Sequence, residues 1–169
     1  MLIDIHVHIA RNHAAPGLNG RYYPTPEEMI GYLDEAGIDM AVVMTRANPE
    51  CAFRMVPPED VLEMCSLHPK RSIPFCGVDP RMLRNSPEAD FRPMLQYYKD
   101  CGCKGIGEYI PNIPFDDPYN MNVFRSSTPN VQYRFQWMVS DRSRWTLLCG
   151  PSSIVHRPWS IPSVMRGRH

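Results

Sequence analysis

Short apolar runs alternate with capped helical stretches along the first 125 residues, and this alternation restricts the fold more than any other feature of the sequence. Strand, helix and parallel strand in succession make a right-handed βαβ unit, so repeated units imply a parallel sheet covered by helices. Residues 2–9 alternate apolar and polar, which places Ile3, Ile5, Val7 and Ile9 on one face of a strand and Asp4, His6 and His8 on the other. Thr25-Pro26-Glu27-Glu28 then opens a helix, with Thr25 as N-cap, Pro26 at the first helical position and Glu28 completing a capping box. Met29, Ile30 and Leu33 supply its apolar stripe, and Gly37 supplies its stop. The near-continuous apolar run over 38–44 suits a strand buried on both faces.

The unit then repeats. A helix is expected from about residue 58 through Val61, Leu62 and Cys65, ending before His68-Pro69, and a third strand over 73–78, ending at Asp79-Pro80. Phe91, Met94, Leu95 and Tyr98 mark a helix face with Gly102 just beyond it. A fourth strand over 103–109 is weakened by Gly105 and Gly107. Asp117-Pro118 caps a further helix carrying Met121 and Phe124.

The rhythm stops after Arg125. Residues 126–169 contain no Ala, Lys or Glu, and their single acid, Asp141, faces six Arg. All three Trp (Trp137, Trp145 and Trp159) lie there, with eight Ser and four Pro. An alternating stretch over 131–139 suits a strand, but no clean helical period follows. The chain therefore divides into 1–125, four βα units, and 126–169, an atypical Ser/Arg/Trp-rich tail. That tail is either a second subdomain or the product of a reading-frame shift near Arg125, and the composition break favours the second.

Charge and composition exclude several roles. Formal net charge is zero, which gives no electrostatic case for nucleic acid or an anionic membrane. A membrane span needs about 18 or more consecutive apolar residues, and no such run exists. Met1-Leu2-Ile3-Asp4-Ile5-His6 has neither the basic flank nor the long apolar core of a signal peptide. The six cysteines (51, 65, 76, 101, 103 and 149) contain no CxxC and are expected to be reduced packing residues of a cytoplasmic protein.

Chemistry concentrates in His6 and His8. The strand period of two puts both imidazoles on one face, where they can reach a single cation at about 2.0–2.1 Å. The catalytic face of a parallel barrel lies at the C-terminal strand ends, where these residues fall. Asp4, deeper on the same face, is placed to orient an imidazole from behind. Thr45 and Arg46 after the second strand, Asp79 after the third and Tyr109 after the fourth stand where substrate contacts would be. Residues 109–117 form a Pro-rich loop over the expected mouth.

Asp4-Ile5-His6-Val7-His8 resembles the first-strand metal motif of the amidohydrolase superfamily, in particular the branch of amidohydrolase-2 type metal-dependent hydrolases and decarboxylases. Gly77-Val78-Asp79-Pro80 is similar to the third-strand ending of that branch, and Gly105-Ile106-Gly107-Glu108 is similar to the fourth-strand Gly-Glu of related metal-dependent deoxyribonucleases. The resemblance covers residues 1–125. It implies an α/β fold, a partial (β/α)8 TIM barrel of the metal-dependent hydrolase type with about four βα units and an irregular C-terminal tail. A full barrel takes about 250 residues.

The resemblance also implies a divalent metal, zinc or alternatively manganese, held by His6, His8 and Glu108. Its bound water, with a pKa lowered toward about 7, would attack an amide, ester or lactone-type bond of a small-molecule substrate. The superfamily's strand-five His and strand-eight Asp have no match. His156 is the one candidate for that His, and no catalytic base is assignable. The chain is therefore expected to be weakly active or inactive. A decarboxylase with the same metal shell, and a non-catalytic βα module self-associating through an open sheet edge, are the alternatives. His13 is expected in a solvated loop and His68 at a helix end.

Overall fold

A computed structural model describes residues 1–127 except 14, 18 and 19, and, beyond them, the backbone of 136–141, 144–149 and 153–154. The first strand, β1, is Ile3–Val7 and the first helix, α1, is Pro26–Ala36. Both halves of the Thr25/Glu28 capping box form, and Gly37 closes α1 in the left-handed conformation at φ 67°. The order continues with β2 (Met40–Val43), a 3-10 turn (Pro49–Arg54), α2 (Pro58–Leu67), β3 (Ser72–Cys76), α3 (Arg92–Asp100), β4 (Gly105–Ile106) and α4 (Pro118–Ser126). Asp117 caps α4 by accepting from the Tyr119 amide at 2.9 Å.

The four strands form one parallel sheet in the order β1-β2-β3-β4. Its two faces carry different cores. Ala41 and Val43 of β2 pack with Met29 and Leu33 of α1 and with Val61, Met64 and Cys65 of α2. Val42 and Met44, of opposite parity, pack with Phe75 of β3 on the concave side. Burial on both faces is why the run over 38–44 shows no alternation. A third cluster joins Cys76, Phe91, Leu95, Ile106 and Val123 beneath α3 and α4.

Two strands depart from the regular expectation. Across the pairing of β1 with β2, Asp4 faces Ala41 but Val7 faces Val43, so β1 holds one extra residue between them. Such a bulge switches the side-chain face. Ile3 accordingly packs on the concave cluster, whereas Val7 and Ile9 pack on the helix-facing one. Ile3, Val7 and Ile9 therefore do not share one face. The fourth strand is also shorter than the sequence suggests, with only Gly105 and Ile106 paired, to Phe75 and Cys76. A Cβ on Gly105 would lie 2.5 Å from the Phe75 ring, so glycine is what lets that ring cross the strand.

In the C-terminal part, β5 (Gln136–Asp141), β6 (Arg144–Cys149) and β7 (Ser153–Ile154) form a separate antiparallel sheet. Three paired strands stand where the sequence offered one alternating stretch. Asp141 pairs with Arg144, and such close antiparallel neighbours need no helical crossover, which is how the βα rhythm ends. Among the described residues, no helix is long and apolar enough to cross a membrane.

Candidate metal centre

His6 is the last residue but one of β1, and His8 lies just past its C-terminal end. The curl of the sheet brings Glu108, two residues beyond β4, across to meet them. The two Nε2 atoms stand 3.0 Å apart. Glu108 reaches His6 Nε2 with Oε1 at 3.6 Å and His8 Nε2 with Oε2 at 3.3 Å. Two ligands held tetrahedrally at about 2.0–2.1 Å from one ion are about 3.3 Å apart, so these three separations bracket what a shared cation requires. His6, His8 and Glu108 could thus hold a metal ion, and no other such group occurs among the described residues.

The local environment sets the protonation states that ligation needs. His8 Nδ1 lies 3.3 Å from the Met44 carbonyl oxygen, which can only accept; with its proton on Nδ1, His8 would turn the Nε2 lone pair to a cation. Burial, followed by the charge of His8, holds His6 below the ordinary histidine value, although Glu108 and Asp4 pull the other way. Burial would raise Glu108, but the hydrogen bond and charge of His8, with His6 and Arg46, bring it below the usual carboxylate range. With both imidazoles neutral, two Nε2 lone pairs and an ionised carboxylate would form a donor set suited to a divalent cation. The site is open on one side: the Glu108 side chain is 3% exposed, His8 13% and His6 28%.

Buried hydrogen bonds place Glu108. Thr45, fully buried at the end of β2, donates its hydroxyl to the Gly107 carbonyl at 2.9 Å, and its amide donates to the same oxygen at 3.2 Å. Arg46 follows; its backbone pairs both ways with Val56, its Nε donates to Cys51 Sγ at 3.4 Å and its Nη1 to Glu108 Oε2 at 3.5 Å.

The remaining expected residues are distributed differently. Asp4 does not orient an imidazole: its carboxylate accepts from the His6 backbone amide at 2.9 Å. The β1 bulge is the reason, because it breaks the shared face that the alternation implied. Asp79 is sealed, with both oxygens held by Arg81, which also binds Glu50 of the 3-10 turn. Tyr109 is sealed as well and donates its hydroxyl to Asn120 at 2.6 Å, while Asn120 donates to the Pro114 carbonyl. Asp79 and Tyr109 therefore brace the rim and the Pro-rich loop and present no free polar group to a substrate. His13 is exposed against Glu28 and Tyr22. His68 caps the end of α2, with Nε2 3.9 Å from Glu27. His156 lies outside the described residues.

Reasoning from sequence missed Tyr23, whose ring lies 5.5 Å from that of His8 under the Arg54 guanidinium. It also missed the Met44 carbonyl. Backbone groups leave no mark in a residue pattern, and Tyr23 sits in a loop without periodicity.

With this geometry in view, comparison with solved structures shows a likeness of fold. A probable 2-pyrone-4,6-dicarboxylic acid hydrolase from Acinetobacter baumannii, crystallised with citric acid bound, superimposes with a TM-score of 0.50 at 16% identity. The shared fold is α/β, with four parallel strands alternating with helices and curled into a half-barrel. The alignment covers 82% of this chain and 57% of the hydrolase, so this chain spans little more than half of that protein. Identity this low speaks to the fold alone. No family model matches the sequence, and no curated protein does.

Proposed function

We propose that this chain carries the metal-binding half of a hydrolase site acting on an ester or lactone-type bond, with His6, His8 and Glu108 as ligands of one divalent cation, zinc or manganese. The observation that carries the reading is the convergence of these three side chains, from the first and fourth strands of the parallel sheet, at ligand-to-ligand spacing. The neighbour of like fold is named as a probable 2-pyrone-4,6-dicarboxylic acid hydrolase, and that name makes esters and lactones the first substrates to test.

A divalent ion bound there supplies Lewis acidity and lowers the pKa of a water to near neutrality. The chain's own residues do the rest. The Met44 carbonyl stands where it would accept from His8 Nδ1 in the ligating tautomer, and Thr45 holds the Gly107 carbonyl just before Glu108. Burial favours the neutral form of His6, and Arg46 reaches the second Glu108 oxygen.

The test is equilibrium zinc binding to the full chain and to its His6→Ala, His8→Ala and Glu108→Ala variants. One ion per chain, with markedly weaker binding in all three variants, is the expected result. Equal binding by the His8→Ala variant would place any zinc elsewhere and remove the reading. Release of acid from a panel of esters and lactones, set against carbon dioxide release from carboxylated substrates, separates hydrolysis from decarboxylation.

A further inference from the structure

Arg46 is badly placed for a residue beside a cation site. Its Nη1 lies 3.5 Å from Glu108 Oε2, one of the oxygens available to an ion, so a bound ion and the guanidinium would be close neighbours. It cannot swing far away. Its backbone is tied to Val56 in both directions and its Nε is tied to Cys51. Two neutral imidazoles and one carboxylate leave a dication and this guanidinium under-compensated. Asp4, which acts on His6 electrostatically, reduces the excess without removing it. Meanwhile Nη2 meets no partner among the described residues, and the side chain is 32% exposed on the open side of the site.

From this arrangement we infer that the centre binds its cation and a small carboxylate together, with the carboxylate seated between the ion and Arg46, so that each strengthens the hold on the other. The inference rests on the metal reading above and gives it a ligand class. Two like charges held close in a half-buried setting repel, and an anion between them turns both contacts attractive. The planar guanidinium, with one edge free, suits a carboxylate better than a spherical anion. Linkage then requires reciprocity: whatever factor the carboxylate adds to cation affinity, the cation adds to carboxylate affinity.

The experiment is a calorimetric titration of the full chain with cobalt(II), with and without acetate, which itself binds cobalt weakly. The visible bands of the ion give a second readout. Acetate is expected to raise cobalt affinity about tenfold, a usual size for coupling between sites, and to change the bands. Arg46→Met, which keeps the stem and removes the charge, is expected to bind cobalt more tightly than the parent in the absence of acetate and to lose the acetate effect. Arg46→Lys keeps the charge and is expected to retain part of it. Circular dichroism checks that each variant is folded. Cobalt binding that acetate leaves unchanged, or that acetate strengthens equally in Arg46→Met, overturns this inference and leaves the metal site standing. Absence of cobalt binding in the parent chain overturns both.

Discussion

Gly77→Ala tests how the fold holds Glu108 in place. A Cβ added at Gly77 would lie 1.9 Å from Thr45 Oγ1 and 3.1 Å from Thr45 Cβ. Thr45 is fully buried, so its hydroxyl can escape only by leaving the Gly107 carbonyl, or β2 and β3 must spread. Overpacking costs about 1–3 kcal/mol and a lost buried hydrogen bond about 0.5–1.5, so the substitution should destabilise by about 2–4 kcal/mol. Thr45→Ala alone should cost about 1–2 kcal/mol, from the same bond and a small void. The double variant loses that bond once and has no Oγ1 to clash with. It should fall short of the sum by about 1–2 kcal/mol, since contacting residues couple. Relief stays partial because the 3.1 Å contact with Cβ remains. Thr45→Val, with a methyl in place of the hydroxyl, should give no relief. Urea unfolding followed by far-ultraviolet circular dichroism measures all of these, with slopes compared to confirm a common transition. Single effects that add to within about 0.5 kcal/mol would refute the steric argument and, with it, the role assigned to Thr45.

Glu108→Ala should weaken zinc binding by more than the roughly 10–100-fold that losing an outer-shell partner costs, and an unchanged affinity would take Glu108 out of the site. Turnover of esters or lactones by the chain with zinc or manganese should exceed that of its His6→Ala variant only slightly. Three protein ligands form the cluster, and general-base assistance is worth about 10²–10⁴-fold. Strong metal-dependent turnover would show that the chain supplies its own base. Tyr109→Phe should cost about 1–2 kcal/mol, because it strands the Asn120 carbonyl oxygen in a buried setting; a neutral result in thermal unfolding would dismiss the brace between β4 and α4. Maleimide labelling at pH 8, read by peptide mapping, should mark exposed Cys101 well ahead of Cys65. Burial pushes the Cys65 thiol up to about 12, leaving little thiolate, and equal labelling would contradict its placement on the buried face of α2.

Much of this protein is written locally. The Thr25/Glu28 box, Gly37 and Asp117 mark helix ends because capping depends on residues three or four apart. The uniform apolar run of β2 and the position of His6 and His8 at the first strand end are likewise legible, since strand parity and burial leave a pattern in neighbouring residues. The break after Arg125 is visible as composition. Tertiary structure decided what depends on residues far apart. The extra residue in β1 has no sequence mark, because a bulge is defined by the partner strand, and it is this bulge that sends Asp4 to a backbone amide. Asp79, Arg46 and Tyr109 look alike as polar residues at strand ends. Only packing showed that Arg81 holds the first, that the second faces Glu108 and that Asn120 seals the third. Glu108 itself was a one-strand guess until the sheet curled. Whether a carboxylate one hundred residues from His8 can share a cation with it is set by the curvature of four strands together, and curvature is a property of the packed sheet that no single segment carries.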